Sequence, residues 1–102
     1  MTPSVLTLAH GRAGHLVNLI RGLALSERPP AELVICVLQD ERYTLPDAPF
    51  PVRQIMVGAG GLPLAAARNA AAAAATGDLL VFLDVDCIPH PELVGDYCDA
   101  AA

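Results

Sequence analysis

Two runs of this chain, residues 33–38 (LVICVL) and 79–83 (LLVFL), are apolar at every position. A strand with one wet face alternates apolar and polar side chains, so runs without alternation belong in a sheet covered on both faces, the situation of parallel sheets in α/β proteins. Both runs fall far short of the ~20 residues that cross a bilayer. Residues 5–9 read as a further strand before them, and Leu16, Leu19, Ile20 and Leu23 then recur at the i, i+3, i+4, i+7 spacing of an amphipathic helix that ends by Pro29 and Pro30.

Residues 40–51 carry three prolines and form a loop, after which residues 52–57 make a less apolar strand suited to a sheet edge. GAGG at 58–61 reads as a turn, because Pro63 stands where the dinucleotide-binding fingerprint needs glycine or alanine. Pro63 opens a helix expected to run to Gly77, a common helix stop, and the alanines at 70–75 would let that helix approach a sheet closely. Pro89 and Pro91 introduce a short last helix within residues 92–102. The resulting order β, α, β, β, α, β, α predicts an α/β fold: an open, mainly parallel, Rossmann-like sheet of order 3-2-1-4 with helices on both faces. That order reverses between strands 1 and 4, and ligands of open α/β sheets bind beyond the carboxyl ends of strands at such a point.

Charge narrows the partners. Six Lys and Arg against eleven Asp and Glu give a net charge of −5, and no basic run appears, which argues against nucleic acid. The first residues lack the basic segment and cleavage site of a secretory signal, so a cytoplasmic location is expected. Three cysteines without a CxxC pair disfavour a disulfide framework or structural zinc, and Cys36, within an apolar run, is expected in the core. His15 belongs to a helix face, and Cys87 and His90 beside Asp86 make only a weak imitation of a zinc site.

The apolar run at 79–83 ends in Asp84 and Asp86, placed by the predicted order beside the His10, Gly11, Arg12 turn. Two carboxylates at one strand end repel each other unless a cation or hydrogen-bond donors compensate, and Mg²⁺ or Mn²⁺ does so while keeping sites for water and phosphate. Taken alone, the pair is equally compatible with two solvated loop residues.

The stretch LAAARNAAAAAATGDLLVFLDVDCIPHPEL, residues 64–93, resembles the ARN, A-x-G, apolar strand, D-x-D and proline-rich turn of family 2 inverting glycosyltransferases of the GT-A fold. Ala67, Arg68, Asn69, Ala75, Gly77, Asp84, Asp86 and Pro91 are in register with that pattern, and Ala71 stands where the family usually has glycine. SVLTLAHGRAGHLVNLIRGL and AELVICVLQD resemble the family's first strand and helix and its second strand. The resemblance implies that residues 1–102 are the nucleotide-sugar-binding part of such a domain, without the acceptor half that supplies the general base. It implies a nucleotide-diphosphate sugar as donor, an acceptor of unknown kind and a divalent metal, Mn²⁺ or Mg²⁺. Asp86 would ligate the metal. Asp84 would reach ribose or sugar hydroxyls, Asp40 the base and Arg68 the ribose or diphosphate, while Ala9, His10 and Arg12 would line the nucleotide pocket. No residue of this chain is assigned a catalytic role.

Two other readings use the same residues. A haloacid-dehalogenase-like phosphatase also ends an apolar strand in DxD, although its motif normally opens the domain and continues Gly-Thr, where this chain has Cys-Ile. A truncated module would bind nucleotide without transferring sugar. Strand 4, apolar and at the end of the predicted sheet, is also expected to mediate self-association.

Overall fold

The computed structural model describes residues 1–60 and 63–102. Seven elements follow in order: β1 (Pro3–Ala9), α1 (Ala13–Ala24), β2 (Glu32–Val37), β3 (Val52–Met56), α2 (Leu64–Ala74), β4 (Leu79–Phe82) and α3 (Leu93–Ala101). The four strands form one sheet of order β3-β2-β1-β4, and every pairing is parallel. The predicted fold class and strand order are therefore those observed. Gly61 of the GAGG turn lies outside the described residues.

The unbroken apolar run of β2 is explained by its two faces. Leu33, Ile35 and Val37 pack with Val5, Ala9, Val81 and the α1 residues Leu16, Leu19, Ile20 and Leu23, together with Val94 of α3. Val34 and Cys36 point the other way, into a second layer with Leu6, Ala67 and Ala71. Helices thus cover both faces, α1 and α3 on one and α2 on the other. The two buried alanines add little bulk of their own above Leu6, Val34 and Cys36, and α2 lies with Cα atoms within 8 Å of β1, β2 and β3. Ala71, fully buried, fits where only a small side chain can.

The helix expected to reach Gly77 ends sooner, at Ala74, because Ala75 is extended (φ −71°, ψ 143°). Gly77 has a different task. A Cβ there would meet the Thr2 carbonyl oxygen at 2.2 Å and Ser4 Oγ at 2.6 Å, so glycine is required for the chain to pass the start of β1. The second strand also begins one residue earlier than expected, at Glu32, whose buried carboxylate accepts hydrogen bonds from the Ser4 hydroxyl (2.7 Å), the Thr76 N–H (2.7 Å) and Arg53 Nη2 (2.7 Å). Arg53 also donates to the Ala74 carbonyl at the end of α2. One acidic side chain therefore ties β1, β3 and the α2–β4 connection together at the amino end of the sheet.

Both β3 and β4 are edge strands, and β4 leaves Leu80 and Phe82 exposed. Among the described residues no helix is long and apolar enough to cross a membrane.

Candidate functional site at the β1–β4 switch point

At the opposite, carboxyl end of the sheet, a cleft of about 450 Å³ opens where the strand order reverses. Its walls come from the end of β1 and the turn after it (Leu8, Arg12), from α2 (Leu64, Arg68) and from residues 82–86. Arg12, Arg68, Asp84 and Asp86 are thus brought to one cavity from three separate stretches of chain.

The carboxylates owe their presentation to a turn. Leu83 N–H donates to Leu6 O (2.9 Å), carrying the ladder just past β4, and Cys87 N–H then donates to Asp84 O (3.0 Å). Val85, between the two aspartates, packs against the α1-side core while Asp84 and Asp86 stay exposed. The single-residue spacing of D-x-D thus follows from anchoring one side chain and freeing its two neighbours. The negative field is felt next door: burial first, then the charges of Asp84 and Asp86, push the Cys87 thiol above its ordinary range.

Arg12 is presented by a strained bend. Gly11 (φ 67°) and Arg12 (φ 39°, ψ 36°) are both left-handed, which swings the chain from β1 directly into α1. A non-glycine residue in this region costs on the order of 1 kcal/mol and persists only where its surroundings hold it. Here the loop between β2 and β3 does so: Gly11 N–H donates to Gln39 Oε1 (2.8 Å), and the Tyr43 hydroxyl donates to Gly11 O (2.6 Å). Tyr43 is fixed in turn by Gln54 of β3, whose side-chain amide accepts the Tyr43 N–H (2.8 Å) and donates to its carbonyl (3.0 Å). Gln39, Tyr43 and Gln54 were not among the expected site residues; the one available signal was a tyrosine placed in a proline-rich loop of a chain with only 4% aromatic residues.

The remaining expected residues lie outside the cleft lining. Ala9 is buried and its carbonyl accepts Leu38 N–H (2.8 Å), while His10 is exposed on the bend. Asp40 is exposed beyond β2, where its Oδ1 accepts the Ala59 N–H (3.1 Å) and fastens the turn after β3. His90 finds partners other than Cys87 and Asp86: its ring, Glu92 and Asp96 have ligand-capable atoms within 4.8 Å of one another, all three on exposed side chains. Among the described residues the ion pairs are Arg28–Asp99 and Arg53–Glu32, so Arg12 and Arg68 reach the cleft without a carboxylate partner.

The cleft lies between the second turn of α2 and the end of β4, and the model of glycosyl transferase family 2 matches residues 49–101, which hold both of these elements and just over half of the chain. The chain belongs to glycosyl transferase family 2. Among solved structures, TarS 1–349 from S. aureus superimposes with a TM-score of 0.71 at 21% identity, covering 97% of this chain and 32% of that one. A second TarS structure from S. aureus gives a TM-score of 0.69 at 22% identity, covering 97% of this chain and 19% of the other. At such identity the likeness is one of fold, and this chain spans about a third or less of each neighbour. No curated protein matches the chain.

Proposed function

We propose that the cleft binds the nucleoside diphosphate of a nucleotide-sugar donor, with a divalent metal between the diphosphate and the aspartate turn, as the donor half of an inverting sugar transfer. The observation that carries this reading is the convergence of two arginines without an ion-pair partner among the described residues, Arg12 and Arg68, with two exposed carboxylates, Asp84 and Asp86, on one cleft at the switch point.

The residues fit a hard divalent ion. Their donors are oxygens, and two carboxylates leave most of an octahedral shell for water and phosphate, the usual arrangement for Mg²⁺ or Mn²⁺. Asp86 would hold the metal and Asp84 would accept from ribose or sugar hydroxyls. When bound, the ion would offset charge developing on the departing diphosphate. Arg12 and Arg68 would donate to phosphate oxygens, a task for which the guanidinium fork is shaped. Asp40, with Ala9 and His10 at the neighbouring strand ends, would border the base. Activation of an acceptor hydroxyl needs a base within hydrogen-bond reach. With both cleft carboxylates committed to metal and donor, that base must come from outside the cleft.

Isothermal titration with UDP, GDP, CDP and ADP, each with Mn²⁺ and again with EDTA, tests the reading. Binding of one of them that is lost in EDTA is expected. Equal affinity in both conditions would remove the metal bridge; binding with no transfer once an acceptor half is supplied would favour the nucleotide-binding module; trapping of an aspartyl phosphate would favour the phosphatase.

A further inference from the structure

The guanidinium carbon of Arg68 stands over the Phe82 ring, 5.5 Å from its centroid, and both residues line the cleft. Phe82 is an unusual residue for its position. It ends an edge strand and is 36% exposed, and an open apolar edge is a liability that folded proteins usually cover or charge. An aromatic ring has a second use there, because its electron-rich face attracts a cation.

Arg68 is a side chain in need of such a guide. It sits on the exposed side of α2 and has no ion-pair partner among the described residues, so its long side chain would otherwise spread over many rotamers. Ala67 and Ala71 pack α2 over β1 and β2, and from there the Arg68 side chain reaches across to the Phe82 ring at the end of β4, the strand next to β1. Asp84 lies only two residues beyond Phe82. Pairing with Asp84 or Asp86 would consume the N–H donors of Arg68, whereas the ring attracts the cation without using them.

We propose that Phe82 is a positioning residue, whose ring holds the Arg68 guanidinium at the cleft wall with its N–H donors free for the donor diphosphate. This rests on the nucleotide-sugar reading above. It makes the edge aromatic part of how the site is ordered before ligand arrives, which lowers the entropic cost of binding.

The test is titration of the 102-residue chain with the nucleoside diphosphate, among UDP, GDP, CDP and ADP, that binds best with Mn²⁺. Phe82→Leu, which keeps the apolar bulk and removes the ring, should weaken binding about two- to fivefold. Phe82→Tyr should restore affinity to within about twofold, and adding Phe82→Leu to Arg68→Met should cost nothing further, because the ring acts only through the cation. Unchanged affinity in Phe82→Leu, equal losses in the Leu and Tyr variants, or additive losses in the double variant would each overturn the positioning role while leaving nucleotide binding intact. Failure of the unsubstituted chain to bind any of the four would overturn the nucleotide reading itself, and the positioning role with it.

Discussion

The Tyr43 hydroxyl donates to the carbonyl of Gly11 at 2.6 Å, joining residues 32 positions apart across the carboxyl end of the sheet. The bond reaches the middle of the left-handed bend that presents Arg12, and the strain of that bend is stabilised from outside rather than by the bend itself. Tyr43→Phe removes one part-buried hydrogen bond and should cost about 1 kcal/mol. Thermal denaturation should show a midpoint lower by ~4–8 °C. Nucleotide affinity should fall as well, because Arg12 loses its fixed starting point; a variant with the lower midpoint but undiminished affinity would detach the bend from the site.

Asp86 and Asp40 are both exposed aspartates at the carboxyl ends of strands, yet their surroundings predict different behaviour. Asp40 already accepts the Ala59 N–H, and asparagine would keep an oxygen for that bond. Asp86 has no ion-pair partner among the described residues, and in the proposed function it would be the metal's ligand, whose charge asparagine removes. Asp86→Asn should lower Mn²⁺-dependent nucleotide affinity by about tenfold or more, at least ~1.4 kcal/mol, and Asp40→Asn by less. Titrations of both variants with and without EDTA check the order, and the reverse ranking would move the metal away from Asp86.

Gly77 gives the clearest steric prediction. Its Cβ position is occupied by the Thr2 carbonyl oxygen and the Ser4 hydroxyl, and its own N–H donates to Ser4 Oγ at 2.9 Å. Gly77→Ala must push β4 away from β1 or displace Ser4 from Glu32, and should destabilise by roughly 1–3 kcal/mol. Ala75→Gly, two residues earlier at the extended end of α2, meets no such constraint. Chemical denaturation of the two variants should therefore differ clearly, with Gly77→Ala the weaker.

The sheet order, the two-sided burial of β2 and the position of the aspartate turn were legible because each follows from a local pattern: an apolar run without alternation, a helical period, charges at the end of a buried strand. The clamp of Gln39 and Tyr43 on Gly11 and the cluster around Glu32 were not, because each joins polar residues far apart in the chain. Ser4 and Thr76 lie 28 and 44 positions from Glu32, and no short motif links them. Gly77 misled for a different reason. Glycine both stops helices and permits close backbone approach, and only the packed neighbour at Thr2 tells the two roles apart. Of the expected site residues, Arg12, Arg68, Asp84 and Asp86 share a cleft because they flank the switch point, while Asp40 follows β2, on the far side of β1 from β4.

Glu32 makes the fold sensitive to acid. Burial by itself would raise its pKa, but hydrogen bonds from the Thr76 N–H, the Ser4 hydroxyl, Arg53 and the Thr76 hydroxyl outweigh it and bring the group from 4.5 down to about 2. A carboxylate with a lowered folded pKa contributes stability that is present above its unfolded pKa and is lost as pH falls through the folded one. The window is therefore pH 4.5 to 2, and the contribution at neutral pH is roughly 3 kcal/mol at most. Arg53 is partly exposed, so water screens its share, and the Thr76 and Ser4 bonds matter more. Unfolding free energy measured by urea titration from pH 7 to pH 2 should stay level with respect to this group down to about pH 5 and then drop. Glu32→Gln removes the titrating group, so it should be less stable than the unsubstituted chain at pH 7 and lose less on acidification, the two curves converging near pH 2. Parallel curves across the whole range would show that another carboxylate carries the acid response.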